Sequence, residues 1–352
     1  MIDRTASPVA SFYVGTYSGT NARGIIPLRD NGLKWELGPP AWLIENASYA
    51  VYNPTVGLYY MVIEAEKGRI GAWGCSTMGR WRYADSAPSE GAGPCFLELS
   101  PDFSHLAIAN YGSGSVALFE LDRLTGRFGM RPALFQNTGH GQNADRQAGP
   151  HAHCVRFHKH WLYSTDLGTD QILAWDLSPG HRGLEKPTVA FETSPGEGPR
   201  HILFHPSLPI AYLLTELGSR IYVLDILPSG LLRSQNAFST LPADFEGNSL
   251  GGHLSLDAAG RRLFASNRGH DSLAVFEVGP DGALTDRQIY PSFGRSPRHF
   301  LIAEDKGVII IAHQNSQTAD IVALDADSLP AGHVQSLKVP CPAFIGRISG
   351  GA

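Results

Sequence analysis

The chain has 352 residues, 43% hydrophobic and 17% charged, with a formal net charge of −5. No apolar run is long enough to span a bilayer, no Lys/Arg cluster marks a nucleic-acid surface, and the opening MIDRTASPVASF lacks the basic and apolar regions of a secretion signal. A cytoplasmic protein that binds neither membrane nor nucleic acid is therefore expected, and the four scattered cysteines (Cys75, Cys95, Cys154, Cys341), with no C-x-x-C pair, read as reduced thiols.

In chain order, FYVGTYSGTNARGIIPL (12–28) reads as two strands around a polar turn. The same hairpin recurs in YYMVIEAEKGRIGAWG (59–74), LAIANYGSGSVALFELD (106–122), LYSTDLGTDQILAWDL (162–177), AYLLTELGSRIYVLDI (211–226), LFASNRGHDSLAVFEV (263–278) and VIIIAHQNSQTADIVALD (308–325). A second motif, a Gly/Ser/Pro lead-in followed by a strand and a turn, precedes six of the seven: NASYAVYNP (46–54), GPCFLELSP (93–101), GPHAHCVRFH (149–158), GPRHILFHP (198–206), GGHLSLDA (251–258) and SPRHFLIAE (296–304). The first hairpin lacks it, and a matching strand, CPAFIGRI (341–348), stands at the other end of the chain.

Taking Tyr17, Glu64, Asn110, Asp166, Glu216, Asn267 and Asn315 as anchors, the spacings are 47, 46, 56, 50, 51 and 48 residues. A period near 50 with about four strands per unit is the signature of a β-propeller blade. The expected fold is all-β: one domain over 1–352, seven four-stranded antiparallel blades, closed by the C-terminal strand joining the first blade, which leaves no open edge. A closed ring needs no partner, so a monomer or weak dimer is expected.

In a blade, the start of the first strand and the end of the second lie on the same side. Seven blades therefore converge on one channel mouth His151, His153, Arg200, His201, His253, Arg298 and His299 from strand starts. From strand ends come Asn110, Asp166, Glu216, Arg268, Gln314 and Asn315. Asp166, Asn110 and His253 suit ties between neighbouring blades equally well. Arg200, Arg268 and Arg298 outnumber the carboxylates, so an anionic small molecule is the natural complement. His151, His201, Arg298, Asp166, Asn110 and Gln314 are the candidate substrate contacts. The H-x-H pair His151/His153 offers two metal ligands and Glu216 or His253 a third, but the crowd of arginines would repel a divalent ion, so no metal is expected. No nucleophile elbow is present either, so acid/base and arginine electrostatics remain, without a cofactor. The longest gap holds FQNTGHGQNADRQAG (135–149), read as a polar lid or rim loop.

GPHAHCVRF, STDLGTDQI, GPRHILFHP, YLLTELGS, FASNRGHDSLAVF and SPRHF resemble the seven-bladed lactonase family over essentially the whole chain. That family includes propeller-type 6-phosphogluconolactonases and fungal 3-carboxy-cis,cis-muconate lactonizing enzymes. The resemblance implies a catalytic set of His153, Arg200, Glu216 and Arg268, as in the lactonizing branch, whereas the hydrolase branch has its histidine at the position of His151. The expected activity is hydrolysis of a small anionic sugar lactone. Glu216 or His153 would be the base, Arg200 or Arg268 the oxyanion partner, His153 or His151 the acid, and Arg298 the anchor of a distal phosphate or carboxylate. The alternatives are a lactonizing cycloisomerase and a non-catalytic binding scaffold.

Overall fold

The computed structural model describes residues 11–18, 24–41, 44–76, 80–178 and 184–349. Seven four-stranded antiparallel sheets form the blades of a propeller, and the one helical element described is a 3₁₀ turn, Glu304–Lys306. Each blade runs outward from the channel in chain order, except that the first takes its innermost strand from the C-terminal end. There Pro342–Arg347 pairs with Phe12–Thr16 in the register Phe12↔Arg347, Val14↔Ile345. The ring is thus closed by the strand that the repeat pattern left without a hairpin.

The blades meet through apolar layers contributed by the first three strands. Tyr212, Leu214, Ile221 and Val223 of the fifth blade, for example, pack on Leu254, Leu263, Ala265, Ala274 and Phe276 of the sixth. A polar lock recurs in this layer. Tyr60, Tyr163 and Tyr212, each in the middle of a second strand, donate their hydroxyl hydrogens to the carbonyls of Gly126, Gly230 and Gly282 in the next blade, at 2.7, 2.9 and 2.7 Å. Those glycines sit in outer turns with φ of 68°, 79° and 82°, where a side chain is strained. At Gly230 an added Cβ would also lie 2.7 Å from the Trp161 ring.

The innermost strands begin in a way that positions the site. Gly93, Gly198, Ser296 and Cys341 adopt left-handed φ (58°, 62°, 61° and 44°), and each precedes a proline that opens the strand: Pro94, Pro199, Pro297 and Pro342. Proline at a strand's first residue withholds no ladder donor that the sheet needs. The register then slips. Pro94 pairs with Asn110 and Phe96 with Ala109; Ala152 with Asp166 and Cys154 with Thr165; Pro199 with Thr215 and His201 with Leu214; Pro297 with His313 and His299 with Ala312. The skipped residues, Cys95, His153, Arg200 and Arg298, are β-bulges, which re-aim side chains.

Candidate active site

These bulges bring Cys95, His153 and Arg298 to a cavity of about 210 Å³ at the mouth where the innermost strands begin, with Arg200 just beneath. Its other walls are Glu64, Tyr111, Glu216, Leu250, Arg268 and, from the loop between the third and fourth blades, Arg146. The space equals roughly seven waters, enough for one small ring compound.

Glu216 is the hub. Its Oε2 accepts from Arg200 Nε and Arg268 Nη2, both at 2.7 Å, and its Oε1 from Arg146 Nη2 at 2.5 Å. Burial alone would raise its pKa, but Arg268 and Arg200 outweigh this and hold the carboxyl well below the usual range. The hairpin Pro199–Thr215 thus carries a cation at its start and an anion just past its end because the two face each other across one sheet end. Arg200 is held at a second nitrogen as well: its Nη1 donates to His201 Nε2 at 2.7 Å and to the Gly252 carbonyl. Arg268 donates Nη2 to the Gly251 carbonyl at 2.8 Å, while its buried Nε–H has no partner. His153 Nε2 lies 3.7 Å from Glu216 Oε2 and its Nδ1 is buried without a partner. Burial first, then Arg200, keeps His153 neutral by pushing its pKa well below the ordinary value.

Arg298 differs from the other arginines. Its guanidinium lies over the Tyr17 ring, 5.0 Å from the centroid, and among the described residues it forms no ion pair or hydrogen bond. Tyr17 donates its hydroxyl hydrogen to Glu64 Oε2 at 3.0 Å, and Ser48 Oγ donates to the same oxygen. Four guanidinium groups (Arg146, Arg200, Arg268, Arg298) therefore share the site with two carboxylates (Glu64, Glu216), a surplus of positive charge that calls for an anion.

Beneath lies a collar of six rings from six blades, each touching the next. Centroid separations are 4.1 Å for Tyr49–Phe96, 5.4 Å for Phe96–His201, 5.3 Å for His201–His253, 4.0 Å for His253–His299, 4.5 Å for His299–Phe344 and 4.9 Å for Phe344–Tyr49. Because His201 Nε2 accepts from Arg200, its Nδ1 carries the hydrogen and donates to His253 Nδ1 at 3.3 Å. A wider cavity of about 1080 Å³ opens below the collar at the opposite mouth. It is larger but both of its arginines are paired: Arg156 with Glu98 at 2.8 Å and Arg347 with Asp305 at 2.5 Å. The smaller cavity holds the unspent cation, and chemistry is assigned there.

Of the residues singled out from sequence, His153, Arg200, Glu216, Arg268 and Arg298 come together, with His201 one layer below. His151 stands aside, stacked on the Tyr111 ring at 4.4 Å with Nδ1 2.9 Å from the Tyr111 carbonyl. Asn110 and Asp166 do not line the cavity. Asn110 donates to the Ser89 carbonyl and Ser115 Oγ, and Asp166 accepts from the backbone N–H groups of His151, Gly168 and Thr169 and from Asn137. Both are the last residue of a second strand, equivalent to Thr215, and alternation points that position away from the mouth. One residue further come Tyr17, Glu64, Tyr111, Leu167, Glu216, Arg268 and Gln314, on the mouth side. Gln314 occupies this position and its N–H donates to the Ser296 carbonyl, but it does not line the cavity. Arg146 was missed because its loop follows no repeat. That loop is held by Gln147, fully buried, which donates to the Leu167 carbonyl and to Asp170 Oδ1 at 2.9 and 2.8 Å. Among the described residues, no group of three or more His, Cys, Asp or Glu side chains is placed to hold a metal ion, and no helix is long and apolar enough to cross a membrane.

Residues 11–346 match the family model described as "Lactonase, 7-bladed beta-propeller". This chain belongs to that lactonase family. Its relatives include a Bacillus subtilis 6-phosphogluconolactonase, 29% identical over 323 residues and 90% of each chain. A Staphylococcus epidermidis protein described as uncharacterized is 30% identical over 318 residues, 87% of this chain and 90% of that one. Among solved structures, a Pseudomonas aeruginosa periplasmic gluconolactonase superposes with a TM-score of 0.86 at 27% identity, covering 96% of this chain and 99% of that one.

Proposed function

We propose that the protein hydrolyses a small anionic lactone, of the 6-phosphogluconolactone kind, in the cavity around Glu216 and Arg298. The observation that carries this reading is Arg298, a cation facing the cavity that is paired with no carboxylate among the described residues, at a site whose other three arginines share the single carboxylate of Glu216. The lactone's phosphate or carboxylate docks on Arg298. Arg268, whose guanidinium lines the cavity, polarises the acyl carbonyl and stabilises the charge that develops on its oxygen. Arg200 braces rather than reacts, since its Nε and Nη1 are engaged by Glu216, His201 and Gly252 and it lies beneath the cavity that the other arginines line. Glu216 holds the arginine cluster in place, and the neutral His153 forms the cavity wall beside it. Relatives named as a 6-phosphogluconolactonase and a gluconolactonase support the same substrate class.

One observation favours a second reading. His153, Arg200, Glu216 and Arg268, the set that the lactonizing branch implies, gather around one carboxylate, Arg200 and Arg268 by ion pairs and His153 at 3.7 Å. The same groups suit addition of a carboxylate across a double bond. Purified protein should be assayed by pH-stat against phosphorylated and unphosphorylated sugar δ-lactones, and separately against 3-carboxymuconate. Acid release from a phosphorylated lactone, lost by at least about 100-fold in Arg298→Ala, supports hydrolysis. Lactone formation from the muconate with no hydrolysis would replace it.

A further inference from the structure

We infer that Glu64 is the general base of the reaction, a role resting on the lactonase reading above. The two carboxylates of the cavity are in opposite states. Glu216 accepts three arginine donors, spread over both of its oxygens. A carboxylate so neutralised has little basicity left to take a proton from water. His153 is driven neutral by burial and Arg200, which makes it a weak base as well. Glu64 is held by one oxygen only. Oε2 accepts from the Tyr17 hydroxyl and from Ser48 Oγ, whereas Oε1 accepts no hydrogen bond from any described residue. Glu64 lines the same cavity as Arg268 and Arg298. The arrangement is that of a positioned base: one oxygen fixed by neighbours, the other open to the reacting water.

Two blades build it. The Glu64 N–H donates to the Asn46 carbonyl at 3.2 Å, and the Asn46 side chain returns a hydrogen bond to the Glu64 carbonyl at 2.6 Å, so the backbone is clamped. Tyr17 comes from the neighbouring blade and serves twice, orienting Glu64 through its hydroxyl and seating Arg298 on its ring. The base and the anion anchor are thereby fixed relative to each other by one side chain.

Glu64 Oε1 takes a proton from water while the water oxygen bonds to the acyl carbon. The carbonyl π electrons move to oxygen, facing Arg268. Collapse of the tetrahedral species breaks the bond to the ring oxygen, which leaves with the proton now on Glu64. One lactone and one water give one hydroxy acid, and the carboxylate is regenerated.

The test uses the full chain and the lactone that the wild type turns over best. Glu64→Gln keeps an oxygen for Tyr17 and Ser48 but removes the base. It should lower kcat by about 10²- to 10⁴-fold with KM and the Kd of the hydroxy-acid product within a few-fold. Glu64→Ala should regain turnover on addition of formate, saturably, which a merely structural carboxylate would not allow. The assignment is overturned if Glu64→Gln keeps kcat within about tenfold, if product binding falls together with kcat in a folded variant, or if formate restores nothing to a folded Glu64→Ala. A wild type inert towards every lactone would overturn the lactonase reading itself. An active wild type with an active Glu64→Gln removes only the base.

Discussion

Acid should unfold this ring from the inside, beginning near neutrality. His153, His201, His253 and His299 crowd the channel with exposures of 6 to 7%. Burial first, and then the charge of Arg200 or a neighbouring histidine, pushes each below the ordinary imidazole value, His299 to about 3. In the unfolded chain each titrates near ~6.5. Between the two values the unfolded state binds more protons, so stability is complete above about pH 6.5 and is lost as the pH falls. A histidine that stays neutral throughout costs about 2 kcal/mol between pH 7 and pH 5, and four cost about 8 kcal/mol. That rivals the whole stability of many domains, about 5–15 kcal/mol. Glu216 does not offset the loss. Arginines outweigh its burial and hold it low, so its own contribution persists until the pH falls below ~4.3 and is lost only through its depressed folded value. Urea unfolding followed by tryptophan fluorescence at pH 7, 6 and 5, at constant ionic strength, gives the slope of free energy with pH. An uptake of about four protons on unfolding near pH 5 is expected, reduced by one in His253→Phe. A free energy flat from pH 7 to 5.5, or an uptake below one proton, would refute the reasoning.

Glu216→Gln strands Arg200 and Arg268 in a buried site, and the urea midpoint should report a loss of about 3–5 kcal/mol together with loss of lactone hydrolysis. Tyr212→Phe removes only the hydroxyl that donates to the Gly282 carbonyl across two blades. Equilibrium unfolding should show a cost of about 1 kcal/mol, with turnover unchanged.

The ring was legible because each blade repeats the same two signals, an opening Pro or Gly and a hairpin with a polar turn, and because the unmatched CPAFIGRI had only one vacancy to fill. The hub was legible for a similar reason: opposite charges at the two ends of one hairpin must meet, and Arg200 meets Glu216 at 2.7 Å. What failed was registration by one residue. Anchoring the repeats on polar residues mixed Asn110 and Asp166, which hold turns, with Glu64 and Glu216, which face the mouth. Side-chain direction reverses at every step of a strand, so this slip decides between scaffold and site. Glu64 and Tyr17 were in view only as period markers. Arg146 and its anchor Gln147 lie in the one segment that repeats nothing, where periodicity carries no information. The bulges that aim Cys95, Arg200 and Arg298 follow a left-handed residue before proline, and in the last of these that residue is Ser296 rather than glycine, while the His153 bulge has no such lead-in.

The six touching rings halfway along the channel make the molecule a cup rather than a pipe. The cavity that Arg146 lines therefore opens on one side only, the side from which the loop between the third and fourth blades reaches in. The far vestibule, with its mutually paired Arg156–Glu98 and Arg347–Asp305, is left free to vary, be tagged or be anchored to a support while the reacting end keeps its shape.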